Sequence, residues 1–195
     1  MSGYVVESDD VRQRFRFARR RLGDIHDLNG GNFAGASAED KHQLVQEFFF
    51  HLGAGLELAA QFVNAELRLG ISPDKVSMVG VIEAIPTGHP VLESVKALYA
   101  TPRRQPMPGD PYSEDGIVWR AYNYRHQVTH RSRNPFLYRS STGYGASFLL
   151  DPRKDSAEAS ILTIHEDMRR MLEVFGARFE KLVQSLSSAA APGAA

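Results

Sequence analysis

The densest concentration of reactive side chains in this chain is Arg125-His126-Gln127-Val128-Thr129-His130. It places a guanidinium, two imidazoles and a hydroxyl within six residues. The run Trp119-Arg120-Ala121-Tyr122-Asn123-Tyr124 precedes it, and Arg131-Ser132-Arg133-Asn134-Pro135 follows. A planar guanidinium can hold two phosphate oxygens at once. An imidazole titrates near neutrality and can take or give a proton there. Together they can bind a phosphodiester and move protons on it without a metal, which makes the segment a candidate for RNA chemistry.

Such side chains act only if a helix presents them. Tyr112-Ser113-Glu114-Asp115 reads as the opening of that helix, and Asn134-Pro135 as its limit, because the residue before proline avoids the α region. Upstream, Val11, Phe15, Ala18, Leu22 and Ile25 recur at steps of four and three, predicting an amphipathic helix capped by Ser8-Asp9-Asp10 and ended by Asn29-Gly30-Gly31-Asn32. Its other face carries Arg12, Arg16, Arg19 and Arg20, either a solvated face or part of a phosphate-binding surface. Ser37-Ala38-Glu39-Asp40 caps a longer helix that keeps helical spacing from Leu44 to Leu67. Its Phe48-Phe49-Phe50 triplet is wider than one stripe and predicts packing on two sides, one of them facing another subunit. Gly53 and Gly55 weaken that helix by roughly 1 kcal/mol each relative to alanine unless close packing needs them.

The middle of the chain is punctuated. Ser72-Pro73-Asp74 reads as a cap opening a short helix to about Ile85, and Val91, Val95 and Leu98 suggest another. Thr101 to Pro111 holds four prolines and reads as a loop. Phe136-Leu137-Tyr138-Arg139 and Ala146 to Leu150 flank a Gly-rich turn and read as a small β-hairpin. A last helix is expected from near Ser156, with Ile164, Met168, Met171, Phe175, Phe179, Leu182 and Leu186 on its apolar face. The expected domain is residues 1–187, with 188–195 a disordered tail. The fold class is therefore mostly α, a four-helix bundle with short extra helices and a small β-hairpin before the last helix.

Composition narrows the functional classes. A length of 195 residues with 43% hydrophobic and 24% charged residues fits one soluble domain. Net charge is zero, so a nucleic-acid site must be a local basic patch and not a global field. The absence of cysteine excludes disulfides and thiolate chemistry. Neither a secretory leader nor an apolar run of membrane length is legible, and a cytoplasmic location is expected. No phosphate-binding Gly-x-x-x-x-Gly-Lys loop, dinucleotide Gly-x-Gly-x-x-Gly or Gly-x-Ser-x-Gly elbow occurs. His126 and His130 have zinc-ligand spacing, but the glutamate of a His-Glu-x-x-His site is missing between them. No metal and no cofactor is expected. His42, His51, His89 and His165 stand alone, and His51 and His165 read as hydrogen-bonded core or groove imidazoles.

The segment Arg125-His126-x-x-x-His130 resembles the Arg-polar-x-x-x-His signature of the HEPN superfamily, helical bundles many of which are metal-independent ribonucleases. The spacing occurs a second time, Arg21 to His26, but there Leu22 and Ile25 belong to the apolar stripe of the first helix. The resemblance covers the chain as helical order and about six residues as motif. It implies that Arg125 clamps phosphate, that His130 is the main acid–base group and that His126 assists. It also implies a homodimer with paired motifs at its interface. Positions 125 and 130 stand about 140° apart on an ideal helix, so one helix does not easily present both to one phosphate. Arg120, Arg131 and Arg133 are the expected RNA-binding residues around the site. Ser132 stands where family members regulated by a nucleotidyltransferase antitoxin carry a tyrosine. The function implied is RNA cleavage in a toxin–antitoxin, stress or phage-defence setting, with a possible protein partner. The alternative is a non-catalytic RNA- or protein-binding module.

Overall fold

The computed structural model describes residues 5–30, 38–102, 104, 106–130, 136–139, 146–150 and 159–190. The described chain is mostly helical. Helix α1 spans Ser8–Gly30, α2 Ala38–Glu66, α3 Met78–Ala84, α4 Leu92–Ala97, α5 Glu114–His130 and α6 Ile164–Ala190. The four long helices meet in a closed ring: α1 packs on α2, α2 on α5, α5 on α6 and α6 on α1. The short α3 and α4 lie against α2 and α6. No helix among the described residues is long and apolar enough to cross a membrane.

The apolar spacing produces this core directly. Val11, Phe15, Ala18, Leu22 and Ile25 are all buried, as are Phe48, Leu52, Leu56, Ala59 and Val63 of α2. Met168, Met171, Phe175, Phe179, Leu182 and Leu186 supply the face of α6. Each such large side chain contributes roughly 1.5–3 kcal/mol by leaving water. Phe179 sits at the centre, edge-on to Phe15 at 6.0 Å and beside Phe62 at 6.1 Å. Within the phenylalanine triplet Phe48 and Phe49 are fully buried, and Phe50 is exposed.

Several boundaries differ from the sequence reading. Helix α3 begins at Met78 and not near Pro73. Ser77 is its cap, accepting a hydrogen bond from the Gly80 N–H at 3.1 Å, while Ser72 to Lys75 closes a turn. Residues read as the start of the last helix instead form a strand. Strands β1 (Phe136–Arg139), β2 (Ala146–Leu150) and β3 (Ala159–Thr163) make an antiparallel sheet in that order, with an irregular register between Phe148 and Leu150. Ile161, Leu162 and Thr163 are compatible with either state, and pairing with β2 selects the strand. The expected turn at 140–145 lies outside the described residues. At the other end, α6 continues through Ala190, three residues into the segment read as tail, and 191–195 lie outside the described residues.

The largest correction concerns Arg120. It is only 2% exposed and forms a buried ion pair with Asp167 of α6, so it is a core residue and not an RNA contact. Its guanidinium also lies 4.8 Å from the Tyr112 ring centroid and near the Tyr124 ring. Burial pulls the Arg120 pKa down, but the Asp167 charge and the Tyr124 hydroxyl outweigh it and leave the guanidinium firmly charged. Removing one member of a buried pair strands the other charge, which costs about 3–5 kcal/mol. Asp167→Ala should therefore lower the unfolding free energy measured by urea titration by that amount, whereas Arg120→Met combined with Asp167→Leu should recover most of it.

Candidate functional site

The segment singled out by its chemistry occupies the last turns of α5. Val118, Ala121, Tyr124 and Val128 are buried and turn one side of the helix into the core. Arg125 emerges on the side facing α2, with its side chain 33% exposed and its guanidinium paired with Glu57. Its guanidinium end lies directly over Gly53: a Cβ added there would overlap Cδ, Nε and Cζ of Arg125. The glycine is the seat that lets this side chain lie flat across α2. Gly55, two residues on, accommodates the Phe15 ring of α1, whose Cε1 would be 2.7 Å from an added Cβ. Both glycines of α2 thus lie under a neighbouring side chain, the end of the part-exposed Arg125 at Gly53 and the buried Phe15 ring at Gly55.

Arg125 and His126 open together into a cleft of about 910 Å³ between α2, α5 and the segments around α3 and α4. That volume is within the range of small-ligand sites. Leu56, Val76 and Met78 make one side apolar, and Glu57, Tyr99, Tyr122, Asn123 and Arg104 add polar groups. Tyr99 and Tyr122 meet edge to face, with centroids 5.3 Å apart. Burial raises both phenol pKa values, which Arg104 and Arg125 respectively counteract only in part. Both hydroxyls therefore remain donors at neutral pH, and Tyr122 donates to the Leu98 carbonyl at 3.2 Å. The cleft offers a cation, an imidazole, phenol and amide groups, and an apolar wall, a set suited to a ligand with an anionic group and a flat ring.

The structure thus brings Arg125 and His126 to one cleft and removes Arg120 from it. His130 is the final residue of α5, and its side chain, like Arg131 and Arg133, lies outside the described residues. Glu57, Gly53, Tyr99 and Arg104 were not singled out from the sequence as site residues. Of these, only Gly53 left a signal, as a helix-weakening residue in the middle of a long helix. The second Arg–His spacing is otherwise engaged. Arg21 pairs with Asp24 and Glu47, each at 3.2 Å, and His26 stacks on His165 of α6 at 4.9 Å. Burial, together with the charges of His26 and Arg169, lowers the His165 pKa. His51 also departs from expectation: its Nδ1 is buried with no hydrogen-bond partner among the described residues. Among the described residues no three His, Asp or Glu side chains converge as a metal site.

Comparisons of the chain with protein-family profiles, with curated proteins and with solved structures find no match.

The two glycines separate function from stability. Gly55→Ala should lower stability by about 1 kcal/mol or more, because the buried Phe15 ring must move by more than the gain in helix propensity offsets. Gly53→Ala should leave the melting temperature unchanged or raised, because it displaces only the far end of a flexible, part-exposed arginine. Calorimetry on both variants checks this, and any activity that uses Arg125 should fall in Gly53→Ala alone.

Proposed function

We propose that this chain is a HEPN-like four-helix bundle acting as a metal-independent endoribonuclease, with a composite site at a homodimer interface. The observation that carries the reading is that Arg125 and His126 open into one cleft at the end of α5. In this mechanism Arg125 takes the scissile phosphate in its fork and stabilises the charge that builds on the equatorial oxygens. His130 removes the 2′-hydroxyl proton, the 2′-oxygen attacks phosphorus, and the bond to the 5′-oxygen breaks. A protonated imidazole, from His126 or the partner's motif, donates to that leaving oxygen. The products are a 2′,3′-cyclic phosphate and a free 5′-hydroxyl. Arg131 and Arg133 follow directly in sequence and are the expected further RNA contacts of this reading. A cytoplasmic setting in stress response or phage defence belongs to the same reading by family analogy.

Glu57 has a defined part in this scheme. Its ion pair with Arg125 is largely exposed, and such pairs contribute only about 0–1 kcal/mol. A dianionic transition state displaces it readily, so Glu57 holds the guanidinium in place between turnovers. The same pair supports a second reading, a non-catalytic binding module in which Arg125 only ties α5 to α2. The two readings part on activity. The wild-type chain should cleave single-stranded RNA in EDTA and leave cyclic-phosphate ends, while His130→Ala and Arg125→Ala should each lose at least a hundredfold in rate. Glu57→Gln should lower KM several-fold by freeing the fork for phosphate. Cleavage that persists in both alanine variants would reject the mechanism, and no cleavage by the wild type would favour the binding module.

A further inference from the structure

On the outer face where α1 packs against α2, three rings form a row. Phe17 of α1 lies against His51 of α2 with centroids 5.3 Å apart, and His51 meets Phe50 at 5.5 Å. Phe50 is 60% exposed. With Nδ1 lacking a hydrogen-bond partner among the described residues, ring contacts hold the His51 imidazole in this row. The Arg20 guanidinium lies 5.6 Å from the Phe17 centroid and extends the row onto a cation.

The charges beside these rings are unmatched. Six arginines of this electroneutral chain are met by carboxylates, Arg12 by Glu180, Arg21 by Glu47, Arg120 by Asp167, Arg125 by Glu57, Arg169 by Glu173 and Arg178 by Asp115, whereas scattered Arg19, Arg68, Arg104 and Arg170 meet none among the described residues. Arg14, Arg16 and Arg20 have no carboxylate partner among the described residues. Steps of three place Arg14, Phe17 and Arg20 on one side of α1, and Arg16 is one turn before Arg20. The nearby acids Asp24 and Glu47 are both engaged by Arg21. A second copy docked here about a two-fold axis would bring these cations against themselves. An anionic partner with flat rings satisfies both features.

We propose that this face is a binding platform for unpaired nucleotides of single-stranded RNA. Bases stack on Phe50, His51 and Phe17, and the backbone phosphates lie along Arg14, Arg16 and Arg20. The platform leads toward the cleft, because Phe50 is one helical turn before Gly53, on which Arg125 rests. It rests on the RNA reading of Arg125 for its direction, but its test is binding and not cleavage, so the two can fail separately.

The test is fluorescence anisotropy of a short labelled oligouridylate, titrated with the full chain in a His130→Ala background at several salt concentrations. Phe50→Ala should weaken binding roughly tenfold, the loss expected for one stacked base. The triple variant Arg14→Ala, Arg16→Ala, Arg20→Ala should reduce the slope of log affinity against log salt by about two, near 0.7 per lost phosphate contact. Duplex RNA of equal length should bind more weakly than the single strand. Unchanged affinity and salt slope in both variants would overturn the platform. It would equally fail if Phe50→Ala kept its affinity while sedimenting as a smaller species, since the face would then be a contact between copies.

Discussion

The rotation of α5 about its own axis is set by the buried ion pair between Arg120 and Asp167. Two charges that exclude water cannot slide past one another as two leucines can, so the pair fixes which side of α5 faces α6. Five residues on, about 140° around the helix, Arg125 must then face α2. Another five residues bring His130 a further 140° around. On an ideal helix positions 125 and 130 therefore stand on different sides, and the proposed mechanism calls on a second copy to bring both groups to one phosphate.

The seating of Arg125 depends on backbone and not on charge. The exposed Glu57 carboxylate holds the guanidinium weakly, whereas Gly53 makes room for the guanidinium end of the side chain against α2. A residue with a Cβ at that position would lift the side chain toward solvent and widen its range of rotamers. Gly55 does the corresponding work for α1, letting the Phe15 ring reach the interior where Phe179 meets it. Two glycines in the middle of α2 thus give room to both neighbours, and a side chain of the cleft and a core side chain use the same device.

Much of the fold was legible because apolar spacing maps onto burial wherever a helix has one wet face. The stripe from Val11 to Ile25 and the face from Met168 to Leu186 are of this kind. The start of α3 was misread because Ser-Pro-Asp is equally good turn chemistry, and Ser77 only five residues later provides a competing cap. The strand at Ala159–Thr163 was missed because β-branched residues beside a helix continue its apolar pattern, and only pairing with β2 decides the state. At the site, Arg125 and His126 were recognisable from chemistry and spacing, but Arg120 looked identical to them in sequence. What separates them is a carboxylate 47 residues away on another helix, which no local pattern encodes. Glu57 was hidden for the same reason, 68 residues from its partner.

The central claim is that Arg125 and His130 act on one phosphate from different copies of the chain. Mixing two inactive variants tests it most directly. Arg125→Ala and His130→Ala, unfolded together and refolded as mixed dimers, each contribute the group that the other lacks. The account predicts that RNA cleavage in EDTA, absent from either variant alone, returns in the mixture to a substantial fraction of the wild-type rate. A mixture as inactive as its components, with mixed dimers shown to be present, would contradict it.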